Sequence, residues 1–174
     1  MKRQIAILSA IVICLGLVAF AADGKTDFSG TWALDKAKSD PIRMGRGGPG
    51  GGGGQAPTID ITLVITQTDN QLNVTRKVNF NGQDRSTEQK FSLDGSENTN
   101  PAMMGRGELK SKSKWKKDKV VTEGTQQVST PNGDFEIGVI EELSLSEDGK
   151  VLTIKTTRST PQGENTSKQV FNKQ

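Results

Sequence analysis

The residues Ile59-Asp60-Ile61-Thr62-Leu63-Val64-Ile65-Thr66-Gln67-Thr68-Asp69-Asn70-Gln71-Leu72-Asn73-Val74-Thr75-Arg76-Lys77-Val78-Asn79-Phe80-Asn81-Gly82 decide the fold. Ile59, Ile61, Leu63 and Ile65 alternate with Asp60, Thr62, Val64 and Thr66. After a turn at Asp69-Asn70, Leu72, Val74, Arg76, Val78 and Phe80 alternate with Asn73, Thr75, Lys77 and Asn79. A period of two is the pattern of a strand with one wet face. Asn81-Gly82 is a strong hairpin signal, because both central positions of such a turn need positive φ.

The same pattern runs down the rest of the chain. A strand is predicted from about Arg85 to Leu93, ending at Asp94-Gly95. Glu97 to Asn100 reads as a very short strand before a loop from Pro101 to Gly107. Leu109, Ser111, Ser113 and Trp115 alternate with four lysines, and Lys117-Asp118 turns into Lys119 to Ser129. Pro131-Asn132-Gly133-Asp134 turns again, and Phe135, Ile137, Val139, Glu141, Leu143 and Leu145 form the longest apolar face. Glu147-Asp148-Gly149 and Pro161-Gln162-Gly163 set off two last strands, Val151 to Arg158 and Glu164 to Asn172. Upstream, Phe28, Gly30, Trp32 and Leu34 share one face of a first strand, and Asp35 to Ser39 suits one helical turn. Between them and Thr58 lies Pro41 to Pro57, with eight glycines from Gly45 to Gly54; such a stretch has no side chains to pack and reads as a flexible insertion.

No amphipathic helix of useful length interrupts this series. Nine or ten tight-turned strands describe an antiparallel meander, and a meander this long removes its edges by closing. The expected fold is therefore all-β, an up-and-down barrel of eight to ten strands. An immunoglobulin-like sandwich is the alternative, but it prefers longer crossings, and only the connection from 35 to 57 is long enough for one.

Composition limits what such a barrel does. The chain has 174 residues, 32% of them hydrophobic, and sixteen of the hydrophobic ones fall within the first 21 positions. Lys2 and Arg3 precede an apolar run from Ile5 to Phe20, and Ala19-Phe20-Ala21 fits a small-x-small cleavage rule. Residues 1–21 are thus expected to be a signal peptide and 22–174 one exported domain, periplasmic or secreted, with no membrane span once the leader is cut. Cys14 lies in mid-run behind Ile13, which does not fit lipid modification, so the mature chain has no thiol and no disulfide. Losing Lys2 and Arg3 lowers the net charge from +3 to +1, and nothing in that charge argues for nucleic acid.

The opening strand also carries a resemblance. Phe28-Ser29-Gly30-Thr31-Trp32-Ala33-Leu34 is similar to the G-x-W opening of the calycin superfamily, and within it to the fatty-acid-binding proteins. Lys90-Phe91-Ser92-Leu93-Asp94-Gly95 is similar to that family's mid-chain strand and turn, and the glycine-turned hairpins from Glu108 to Asn172 follow its closing strands in order. The resemblance implies a ten-stranded barrel with a cavity for an apolar ligand, and Trp32 plugging its closed end. It also implies a carboxylate clamp that does not carry over. Glu141 lies near the place of one expected arginine, and Lys168, with Val170 or Phe171, stands near an expected Arg-x-Tyr pair. The glycine-rich stretch replaces the two helices that would lid the cavity. Export suits the lipocalin branch better than the intracellular one.

With no histidine and no mature cysteine, the usual triads and zinc sites are excluded. Glu141 and Glu142 are adjacent on a strand and so point to opposite faces. No catalytic residues, cofactor or metal are therefore expected. Arg76 and Glu141 each put a charge in the middle of an apolar face. Such a charge either looks out to solvent, pairs as a structural bridge, or meets a ligand's polar head in a cavity. Trp115 has small serines beside it and serves equally as core or cavity wall. Arg76, Trp115, Glu141 and Lys168 are the candidate ligand contacts.

The expected function is the non-catalytic binding of a small apolar or amphipathic ligand by a monomer. The alternative is an envelope protein with a filled barrel, acting through its outer surface, where Lys110, Lys112, Lys114 and Lys116 form one stripe. Two stretches, Pro41 to Gly47 and Pro101 to Gly107, share the pattern P-x-x-M-G-R-G. They flank one mouth of the barrel only if Glu97 to Asn100 is a true strand.

Overall fold

The computed structural model describes residues 26–42, 59–102, 107–130 and 133–174. The leader, most of the glycine-rich stretch and the Met-Gly-Arg core of both repeats lie outside the described residues.

Ten strands form one antiparallel sheet: β1 (Gly30–Leu34), β2 (Ile59–Gln67), β3 (Gln71–Phe80), β4 (Gln83–Ser92), β5 (Asp94–Pro101), β6 (Glu108–Lys116), β7 (Lys119–Thr130), β8 (Gly133–Leu145), β9 (Val151–Thr160) and β10 (Gly163–Lys173). Their order is β4-β3-β2-β1-β10-β9-β8-β7-β6-β5. First and last strands pair, with Trp32 opposite Lys173 and Leu34 opposite Phe171. The sheet thus curls into a nearly closed barrel whose two edges, β4 and β5, are consecutive in the chain.

The turns follow their residues. Asn81 (φ 49°) and Gly82 (φ 83°) close the β3–β4 hairpin with the positive φ pair its twist requires. The expected short strand at Glu97 is longer, reaching from Asp94 to Pro101 with a register shift between Asp94 and Glu97. It is therefore a true strand, and β1 and β5 run in the same direction, so both repeat-bearing connections leave at the same end of the barrel.

Along the inner face of β2 the core reaches up to Ile59, opposite Phe80, but it lies mainly at the other end. Phe28, Trp32, Leu63, Ile65, Leu72, Phe91, Leu93, Val120, Leu143, Leu152, Ile154 and Phe171 pack there in one cluster. Trp32 is wholly buried, and its indole Nε1 donates to the Phe28 carbonyl at 3.0 Å. The Phe28 N–H donates to Gln67 Oε1 at 3.0 Å, and Gln67 Nε2 donates to the Thr26 carbonyl at 2.9 Å. Trp32 and the ordered N-terminal arm plug the closed end, as its resemblance implied.

β1 is short, and side chains take over where it ends. Asp35 begins a single turn: its carboxylate accepts from the Ala37 and Lys38 N–H groups and from Asn172 Nδ2. Ser39 Oγ and Asp40 Oδ2 then accept from the Val170 and Lys168 N–H groups at 2.9 and 2.7 Å. This strap continues the β10 ladder without being a strand, and it covers Val170 on the outer face.

Candidate functional site

Register places the inward-facing residues in layers. The lowest runs Leu145, Leu152, Phe171, Leu34. The next runs Trp115, Val120, Leu143, Ile154, Gln169. Above these apolar layers comes a polar one: Ser113, Thr122, Glu141, Thr156, Ser167. The layer beyond it, toward the mouth, runs Ser111, Gly124, Val139, Arg158, Asn165. The inner wall therefore changes from hydrocarbon to hydroxyl and charge part-way up.

The wall is smooth at β6 and β7. A Cβ on Gly124 would collide with the Lys110 carbonyl and with Ser111, so the two strands approach closely there. Ser113 and Thr122 share a buried hydroxyl hydrogen bond of 2.7 Å. Beside them, Ser111 Oγ and Trp115 Nε1 are buried without a hydrogen-bond partner among the described residues. Trp115 stacks on Phe28, with ring centroids 5.9 Å apart.

Arg76 enters from β3, between Leu63 and Thr87. It is 7% exposed. Among the described residues its one hydrogen bond runs from Nη1 to Gln169 Oε1, at a long 3.4 Å. A guanidinium has several more donors than that. Burial pulls the Arg76 pKa down, the negative charge of Glu141 opposes this, and the positive charge of Arg158 adds to it. Glu141 accepts from Thr156 Oγ1 at 3.3 Å. No ion pair joins Arg76 to Glu141 among the described residues.

Above this group the inner face of β7, β8 and β9 stays within reach of solvent. Gln126, Val128, Ile137, Glu141 and Arg158 point inward by strand alternation, yet all remain half-exposed. Phe80 and Phe135 sit near the mouth, half-buried and 37% exposed, whereas Phe91 and Phe171 are buried at the closed end.

Three of the four candidate residues, Arg76, Trp115 and Glu141, therefore face the lumen. The mid-strand charges neither look outward nor form a direct bridge. Lys168 is corrected in position: it is exposed on the outer face, beside Asp40, Glu142 and Lys155 in a shallow hollow of the wall. The adjacent apolar pair Val170-Phe171 hid its parity, because Phe171 fills the core while Val170 lies outside under the strap. Arg158, Gln169 and Thr156 complete the inner group. Arg158 had a signal in the sequence, since it shares the parity of Leu152, Ile154 and Thr156. The four-lysine stripe of β6 is exposed, and Asp94, Glu97 and Glu123 stand opposite it on the neighbouring strands.

No family model matches the chain, and no curated protein matches it. Among solved structures, the chain is similar to zebrafish ileal bile acid-binding protein, crystallised with cholic acid, with a TM-score of 0.52 at 14% identity over 84% of this chain and 98% of that one. The fold is thus a calycin-like, ten-stranded antiparallel barrel. Among the described residues no helix is long and apolar enough to cross a membrane, and no acidic cluster fit for a metal ion occurs.

Proposed function

We propose that this protein binds a small amphipathic ligand inside the barrel, without transforming it, as an exported monomer. The apolar body lies against Trp115, Val78 and the smooth wall of β6 and β7. The polar end reaches Arg76, with Arg158 and Glu141 around it. One observation carries the reading: an arginine only 7% exposed, on an apolar strand face, with one long hydrogen bond among the described residues. A buried charge so poorly satisfied costs stability, and a ligand acceptor is the partner its position suits. The cholic acid in the zebrafish protein supports a barrel of this type holding an amphipathic molecule. The two arginines and one carboxylate leave the inner group with a net positive charge, which favours an acceptor-rich or anionic head. The absence of histidine supports the non-catalytic part of the reading.

The test separates function from structure. Arg76→Met removes the buried charge and keeps an apolar stem. It should leave stability equal or higher by about 1–4 kcal/mol in urea unfolding. It should also weaken a carboxylate-bearing lipid probe about ten- to hundred-fold, the loss of a charge-assisted bond. Lost stability with unchanged probe affinity would overturn the reading. So would native mass spectrometry finding the purified protein always empty and deaf to every apolar probe; the outer lysine stripe would then be the place to look. Export predicts a mature N-terminus at Ala22.

A further inference from the structure

β4 and β5 are joined through Leu93 alone, yet no backbone ladder links them. Side chains link them instead. The Lys90 N–H donates to Asn100 Oδ1 at 2.7 Å, and Asn100 Nδ2 donates to the Lys90 carbonyl at 2.8 Å. One carboxamide takes both bonds that a neighbouring strand would take. Below it, the Ser92 N–H and hydroxyl reach Asn98 Oδ1 at 3.3 and 3.1 Å. Beside it, Gln89 Nε2 donates to the Pro101 carbonyl at 2.9 Å. These are the hydrogen bonds that cross the seam among the described residues.

The β3–β4 hairpin fixes which peptide groups depend on them. Its closing pair is Phe80 and Gln83, so the odd residues of β4 bond to β3 and the even ones point at the seam. The Phe91 amide thus belongs to the ladder with Leu72, and the next amide back, Lys90, belongs to Asn100. The seam is anchored at its base. Leu93 is buried in the core, and its N–H donates to the Asn70 carbonyl at 2.8 Å. Above Gln89 the β4 residues Asp84, Ser86 and Glu88 are exposed. A hinge at Leu93, a side-chain clasp at Asn100 and a free upper strand make a wall that opens sideways.

We propose that Asn100 is the latch of a lateral opening: when its carboxamide leaves Lys90, β4 parts from β5 and the occupant of the lumen passes through the wall. Everywhere else neighbouring strands share a backbone ladder, so separation elsewhere breaks many bonds together. Here it breaks a few side-chain bonds, of which only the Asn100 pair is made by a buried side chain. The route for ligand rests on the binding reading above; the opening itself does not.

Residue-resolved hydrogen exchange tests the opening. In the wild type the Lys90 amide should exchange at least about tenfold faster than the Phe91 amide, and Asn100→Ala should speed Lys90 further while leaving Phe91 unchanged. Lys90 as slow as Phe91 in the wild type overturns the latch, whether or not the variant folds. Stopped-flow entry and release of an anilinonaphthalene sulfonate probe tests the route. Asn100→Ala should raise both rates about tenfold and change the affinity less than twofold, while Asn79→Ala, which breaks an outer-face bond to Asp84, changes neither. Faster Lys90 exchange with unchanged probe rates overturns the route. A probe that never binds defeats the binding reading instead, and the exchange contrast alone then decides the latch.

Discussion

Lys117 holds a backbone conformation that side chains seldom take. Its φ is 60°, at the first position of the two-residue turn between β6 and β7, where a glycine or asparagine is expected. The left-handed region costs an ordinary L-residue about 1–2 kcal/mol. The Lys117 side chain is exposed and forms no salt bridge among the described residues, so nothing there offsets the cost. Lys117→Gly should raise the urea midpoint by an amount worth about 0.5–1 kcal/mol, after glycine's larger unfolded-state entropy is subtracted. A lower midpoint would show that the lysine stem packs on the turn more than its exposure suggests. Arg76 makes the complementary residue-scale point: a charge only 7% exposed with one long hydrogen bond among the described residues is expected to cost stability, and the Arg76→Met comparison above reads that cost and the binding role separately.

At the scale of elements, the strap from Asp35 to Asp40 shows how a short strand is prolonged by side chains. Hydrogen bonds from Lys38 first, and from Asn172 second, hold the Asp35 carboxyl below the usual carboxylate range. A folded-state pKa below the unfolded one contributes stability that is present at neutral pH and lost as pH falls through the folded value. Asp94, bonded by Ser96, and Asp148, bonded by Ser146 and Lys150, shift in the same direction. The acid limb of stability should therefore begin below about pH 4. Asp35→Asn should be less stable than the wild type at pH 7, with the gap closing toward pH 2; chemical unfolding at the two pH values checks it, and a gap that persists at pH 2 would assign the effect to geometry rather than charge. The elements also show what a sequence carries. Alternation and the Asn81-Gly82 turn determine strand faces and hairpins directly, which is why Arg76, Glu141 and Trp115 could be placed each on the apolar face of its strand, while the direction in which those faces look stayed open until the sheet curled. The seam was not legible, because Asn98 and Asn100 act through side chains that have no period. Nor was the outer position of Lys168, because the strap that buries Val170 comes from the other end of the chain.

Over the whole molecule the barrel is polar along its axis. One end is packed solid around Trp32, and the other leaves inward-facing side chains within reach of solvent. The sequence distributes its few large apolar residues accordingly: Phe171 and Phe135 are both phenylalanines on inward positions of long strands, yet one is wholly buried and the other 37% exposed. Cavity energetics depend on how many neighbours a side chain loses, so chemically identical truncations should separate. Phe171→Ala should cost about 3–5 kcal/mol in urea unfolding, and Phe135→Ala less than about 1 kcal/mol. If Phe135 instead closes over an occupant of the lumen, its truncation should leave that small effect on the empty protein and speed release of a bound apolar probe. Equal costs at the two positions would mean that the mouth is as well packed as the base. That outcome would contradict the proposed binding space above the polar layer, and with it the reading in which a solid floor supports a polar belt beneath a bound ligand.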